Sequence, residues 1–313
     1  MKKRYFFSFL LLFFIIFGIC MFFICKPQTN AELFNDLCEE VVIYNYSDEN
    51  IPSSENNQNF IKNIFDNTKS NTHKQFKKLS STEKVNVWKN INPLVVGTIS
   101  ILNLQDEPVI NVPNDQNRYL HLDLKENYSR SGTLFTAQNS EFSKTKTTCI
   151  FGHAMNSGAM FGNLNKFSNL DFLKANPTFQ ISTSKNTKTC KIVGILYASA
   201  NYELNDWYYA KPNLNEKEFE DFKFQTRTRS LYIIPDKFDY NSNYITLSTC
   251  SYNCQDERFL VIARIINENE KINTENYSIN PSPLRTKEYY TKHKTSQPTN
   301  KTLQKIYEDL YNN

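Results

Sequence analysis

The stretch Tyr244-Ile245-Thr246-Leu247-Ser248-Thr249-Cys250, followed across a polar turn by Arg258-Phe259-Leu260-Val261-Ile262-Ala263-Arg264, decides how this chain is read. In the first run Ile245, Leu247 and Thr249 alternate with Thr246, Ser248 and Cys250, which is the two-residue period of a β-strand. Cys250 therefore ends a strand on its more polar face. In the second run Arg258 shares a face with Leu260, Ile262 and Arg264. A guanidinium there needs a partner or an open cleft, because an unpaired buried charge is costly. The turn between them is short, so the two strands are expected to be neighbours.

Working outward, Cys149-Ile150-Phe151-Gly152-His153 is another apolar run, ending at a histidine. From residue 92 onward, short β runs alternate with turn residues. Strands are expected near 94–102, 108–112, 133–136, 147–152, 178–184, 188–200, 229–235, 243–250 and 258–266. Many short strands with few long helices argue for a closed or nearly closed barrel over 91–267. Two helical segments interrupt it. Over 160–175, Met160, Leu164, Phe167, Leu170 and Leu173 fall on one face. Over 214–226, Phe219, Phe222 and Phe224 alternate with charges.

Ahead of the barrel, residues 55–90 carry helical periodicity, and Ser80 and Glu83 have capping-box spacing before Val85, Val87 and Trp88. Residues 26–54 form a polar stalk. Residues 268–313 read as a polar tail without a core of its own, in which Leu303, Ile306, Tyr307 and Leu310 mark a short amphipathic helix.

Lys2, Lys3 and Arg4 precede an apolar run over 5–25 broken only by Ser8 and Gly18. A membrane-spanning helix needs about 20 residues, and a signal-peptide core is shorter and ends at a small-residue cleavage site. Residues 5–25 are thus expected to be a retained single-pass anchor. The basic residues 1–4 keep that end cytoplasmic and put the remainder outside the cell. The net charge is only +4 and no basic block stands out, which excludes a nucleic-acid partner. The seven cysteines are an odd and scattered set, not a disulfide framework. Cys250 and Cys254 lack the second Cys or His pair that zinc requires. Neither a metal nor a cofactor is expected, and a reversible Cys250–Cys254 disulfide stays open.

A cysteine, a histidine and an arginine at strand ends are the parts of a thiol acyl-transfer site. The thiolate attacks a carbonyl to give a thioester. Imidazole protonates the leaving amine, and a guanidinium stabilises the oxyanion. Taken singly, each residue has an ordinary structural reading: a small buried thiol, a packed imidazole, a surface guanidinium. His121 has a structural setting in Tyr119-Leu120-His121-Leu122-Asp123, so His153 is preferred.

Thr246-Leu247-Ser248-Thr249-Cys250 resembles the Thr-Leu-x-Thr-Cys signature of the sortases. Asn92-Pro93-Leu94-Val95-Val96-Gly97, Asn127-Tyr128-Ser129-Arg130-Ser131-Gly132, the run Phe151-Gly152-His153 to Met160-Phe161-Gly162-Asn163-Leu164, and Ser230-Leu231-Tyr232 resemble class B members in particular. The resemblance spans about residues 80–267. It implies a mainly β fold: a sortase-type closed barrel with an N-terminal helical extension and a helix inserted before the catalytic-cysteine strand. It also implies a membrane-anchored cysteine transpeptidase on the outer face of a Gram-positive-type cell. Such an enzyme cleaves a C-terminal sorting motif of a secreted protein and passes the acyl group to an amine of peptidoglycan or of a pilin. By motif, Cys250 is the nucleophile, His153 the general acid/base and Arg258 the oxyanion or substrate-orienting group. Ser248, Thr249, Ser251 and Tyr252 are candidate substrate contacts. Two departures bear on substrate preference: Thr136-Ala137 follows Phe135 where an acidic and an aromatic residue are common, and Ala154 replaces a common Asn. A thiol hydrolase using water as acceptor, and an inactive anchored binding protein, are the competing readings.

Overall fold

The computed structural model describes residues 78–137, 140, 142, 144–200, 208 and 212–311. The expected anchor at 5–25, the stalk at 26–54 and most of the helical layer at 55–90 lie outside the described residues. What is described of that layer is α1 (Ser81–Ile91), which opens on the anticipated capping box. Ser80 Oγ accepts from the Glu83 amide while Glu83 Oε2 accepts from the Ser80 amide at 2.8 Å. Its buried face, Val85, Val87 and Trp88, lies on the barrel, and Trp88 Nε1 donates to the Asp106 carbonyl at 3.1 Å.

The strands are β1 (Val95–Ile101), β2 (Leu104–Ile110), β3 (Leu134–Thr136), β4 (Thr147–Phe151), β5 (Thr178–Ser182), β6 (Thr187–Ser199), β7 (Tyr232–Ile233), β8 (Tyr244–Cys250), β9 (Glu257–Ile265) and β10 (Ser278–Ile279). Eight of them close into a barrel in the order β1-β2-β3-β4-β8-β9-β6-β5. The barrel is antiparallel except at β2/β3 and β4/β8, which run parallel. Ile99, Val109, Leu134, Ile150, Leu247 and Val261 fill its interior. The alternate residues Tyr244, Leu260 and Ile262 face outward. They are covered by α3 (Glu216–Arg229), the inserted helix before β8, through Phe219 and Phe222. Burial of each of these two rings contributes about 1.5–3 kcal/mol.

Several boundaries differ from the sequence reading, each for a local reason. β2 begins at Leu104, because a two-residue turn with Leu102 at φ 54° closes a hairpin onto β1. Its polar start is hidden inside: Asp106 is buried and pairs with Lys84 at 2.7 Å. The helix expected over 160–175 cannot start at Met160, which sits at φ 49°. It is split into a 3-10 turn (Leu164–Ser168) and α2 (Leu170–Ala175), with Asn169 capping the second piece. The strand expected over 229–235 is reduced to β7, which pairs only with β10, outside the barrel.

The stretch after residue 268 is folded onto the barrel rather than free of it. Tyr277, Leu284 and Leu303 are buried, and α4 (Lys287–His293) and α5 (Asn300–Tyr311) follow. The Leu284 amide donates to the Thr228 carbonyl at 2.9 Å, and the Asn280 amide to the Leu231 carbonyl at 2.9 Å.

Candidate active site

Two strand pairings assemble the site. In the antiparallel ladder of β8 and β9, Cys250 stands directly opposite Arg258. The Arg258 guanidinium donates through Nη1 to Cys250 Sγ at 2.7 Å. In the parallel ladder of β4 and β8, Phe151 aligns with Ser248. His153 lies two residues past Phe151, just beyond the end of β4, and Cys250 two residues past Ser248, so the pairing directs both to the same end of the barrel. Two hydrogen bonds lock that end: the Gly152 amide donates to the Ser248 carbonyl at 3.1 Å, and Thr249 Oγ1 donates to the Gly152 carbonyl at 2.7 Å. Glycine is needed at 152, since a Cβ there would lie 2.5 Å from the Leu134 side chain and 2.8 Å from the Phe161 ring.

The two arginines on the outward face of β9 show opposite solutions to the same electrostatic problem. Arg264 is buried and is neutralised by Asp236 and Glu270, with Nη2 at 2.8 Å from Asp236. Arg258 instead meets a thiol at the wall of a cleft.

His153 Nε2 lies 2.9 Å from the Leu120 carbonyl. Burial holds its pKa below the ordinary histidine value; the Leu120 hydrogen bond opposes this, while the nearby His121 and Arg258 charges add to it. His121 is the residue that the sequence reading set aside as structural. It ends a 3-10 turn (Arg118–His121), and its ring stacks on His153 with centroids 5.2 Å apart. Tyr128, 79% exposed, also stacks on His121, with centroids 6.3 Å apart. No local pattern flags His121, because only the fold brings the β2–β3 connection to the end of β4.

Two clefts meet at Cys250. One, about 430 Å³, is bounded by Ala154–Asn156, Phe161–Asn163, Tyr197 and the turn after Cys250. The other, about 620 Å³, is bounded by residues 250–258 and Lys292. Among the four candidate substrate contacts, Ser251 and Tyr252 line both clefts and Thr249 lines the first. Ser248 is 1% exposed and lines neither. Tyr252 Oη donates to the Ala154 carbonyl at 3.0 Å, which bridges the turn to the His153 strand.

The thiols differ sharply. Cys149 and Cys190 are fully buried, and burial pushes both well above the ordinary thiol pKa. Cys254 is raised by burial first and by Glu257 second. Cys250 is half-buried and sits against a cation. Iodoacetamide at neutral pH is expected to modify Cys250 at least about tenfold faster than Cys149 or Cys190. Peptide mass spectrometry reads the rates, and equal labelling would mean that the sulfur is shielded.

No family model matches the chain. It is 30% identical over 164 residues to sortase B of Listeria monocytogenes, a match covering 52% of this chain and 65% of that relative, just under two thirds of its length. Clostridium perfringens sortase B superposes with a TM-score of 0.53 at 25% identity, over 58% of this chain and 99% of that one. The Staphylococcus aureus sortase B–substrate complex shares the fold, with a TM-score of 0.54 at 18% identity over 69% of this chain and 100% of that one. Over the barrel the chain is thus similar to class B sortases, in sequence to the Listeria monocytogenes enzyme and in fold to the solved sortase B structures.

Proposed function

We propose that this chain is a membrane-anchored cysteine transpeptidase acting on a sorting motif, with Cys250 as nucleophile, His153 as general acid/base and Arg258 as the oxyanion group. The observation that carries the reading is the 2.7 Å contact between Arg258 Nη1 and Cys250 Sγ at the junction of two clefts. The Cys250 thiolate attacks the scissile carbonyl and forms a C–S bond. The oxyanion is held by the guanidinium. As the C–N bond breaks, the His153 imidazolium gives its proton to the departing amine, leaving a thioester. An acceptor amine then attacks the thioester, its proton passes to His153, and the C–S bond breaks to restore the thiolate. Two clefts at one sulfur suit a reaction in which acyl donor and amine acceptor meet at the same carbon in turn. The apolar run over 5–25 supplies the anchor, the chain beyond it faces outward, and the acceptor is an amine of the cell wall or of a pilin.

The test is a peptide-library screen with the full chain in detergent, with and without triglycine. The expected result is a cleaved peptide whose mass includes the added amine. If the only product carries water even at high amine, the chain is a thiol hydrolase; if nothing is cleaved, the binding-protein reading takes over.

A further inference from the structure

We propose that the segment from Arg285 to Lys292, which follows the last barrel strand, is a brace that sets Cys250 against Arg258, with Glu257 as its joint. Glu257 immediately precedes Arg258, and Ser251 immediately follows Cys250. Their side chains leave the ladder on the face opposite the thiol and guanidinium. There the Glu257 carboxylate, fully buried, joins three groups. Its Oε2 accepts from Ser251 Oγ at 2.9 Å, its Oε1 accepts from Thr286 Oγ1 at 3.1 Å, and Arg285 Nη2 lies 3.6 Å from Oε1. The Ser251 amide also donates to the Glu257 carbonyl at 2.8 Å, closing the ladder just beyond the Cys250–Arg258 pair.

The Arg285 guanidinium is itself held between two rings, Tyr197 and Tyr289, each centroid 4.1 Å away. Such stacking fixes a planar cation in a way that a lysine ammonium would not. At the tip of the same turn, Lys292 Nζ donates to the Asn253 carbonyl, and Asn253 Nδ2 donates to Tyr197 Oη at 2.9 Å. The turn bearing the candidate nucleophile is thus tied at its base through Glu257 and at its tip through Asn253. Both ties lead to α4 and to the strand end at Tyr197. A sulfur–guanidinium contact of 2.7 Å depends on the pitch of two strand ends, and strand ends open readily unless tied. Glu257, Arg285 and Lys292 are therefore positioning residues that act through Arg258.

The brace deepens the transpeptidase reading and rests on its assignment of Cys250 and Arg258. The readout is chosen to separate the two: alkylation of Cys250 in the full chain at pH 7, followed by peptide mass spectrometry, needs no peptide substrate. The alkylation rate reads how closely the Arg258 guanidinium is held against Cys250 Sγ. Arg285→Ala is expected to slow labelling about tenfold, Arg258→Ala to a similar extent, and the double variant no more than about twofold further than Arg258→Ala alone. A merely structural clamp would lower the melting temperature and leave labelling of the folded fraction unchanged. Lys292→Ala, a surface change, is the arm that keeps the fold. It is expected to slow labelling about threefold, again with no added effect on the Arg258→Ala background. The brace is overturned if folded Arg285→Ala and Lys292→Ala both label at the parent rate, or if either effect multiplies with that of Arg258→Ala. If Arg285→Ala does not fold, Lys292→Ala alone decides by the same criteria.

Discussion

Cys250→Ala is expected to stop peptide cleavage, by roughly four orders of magnitude or more, in a protein that melts close to the parent. The size of the effect follows from what surrounds the sulfur. Its two neighbouring hydroxyls are already committed: Thr249 Oγ1 donates to the Gly152 carbonyl and Ser251 Oγ to the Glu257 carboxylate. Neither is free to replace a missing nucleophile. Cys149 and Cys190 are buried inside the barrel wall with raised pKa values and cannot reach the cleft. Without Sγ there is no atom to carry the acyl group, and general acid help from His153 has nothing to act on.

The same variant separates chemistry from folding. Cys250 is half-buried at the end of β8, and its removal leaves the ladder to β9 intact. Loss of one thiol at such a position costs about 1 kcal/mol or less. Cleavage is read by mass spectrometry on a peptide found in the library screen, and folding by thermal melting. Cleavage by the alanine variant within tenfold of the parent rate would remove Cys250 from the mechanism.

The strands were legible in the sequence where one face is apolar and the period is strict. The pairs flanking Ile245, Leu247 and Val261 are the clearest case, and the adjacency of Cys250 and Arg258 followed from the short turn between them. Legibility failed where burial was obtained by pairing charges instead of by apolar residues. The Asp106 carboxylate, buried on Lys84, made the start of β2 look like a loop. It failed again where contacts are remote. The polar composition after residue 268 concealed two anchors, Tyr277 and Leu284, because isolated apolar residues carry no period, and it showed Leu303 only as part of a short amphipathic helix, not as buried against the rest of the fold. That His153 and Cys250 stand at the same end of the barrel depends on the parallel β4/β8 pairing, which joins strands far apart in the chain. The stack of His121 on His153 depends on the same closure of the barrel, and so the sequence offered a family resemblance for His153 and nothing for His121.

Replacing His153 with Ala is the second large effect: cleavage should fall about 10²–10⁴-fold, the usual worth of a positioned general acid. The pH profile carries more information than the rate. Turnover requires thiolate and imidazolium together, so the parent should show a bell whose alkaline limb, where His153 loses its proton, belongs to His153. Burial depresses that imidazole below its ordinary value of 6.5, and the charges of His121 and Arg258 push the same way. The alkaline limb is therefore expected to have its midpoint below 6.5 and to vanish in the alanine variant. Stability moves the opposite way. Between the folded and unfolded values the unfolded chain binds more protons. The contribution is thus fully present above the unfolded value of about 6.5 and is lost as pH falls through the depressed folded value. His121→Ala removes one of the depressing charges and should move the alkaline limb upward while leaving its amplitude in place. An alkaline limb centred above 6.5 in the parent, or a loss of less than tenfold in His153→Ala, would show that the proton reaching the departing amine comes from elsewhere.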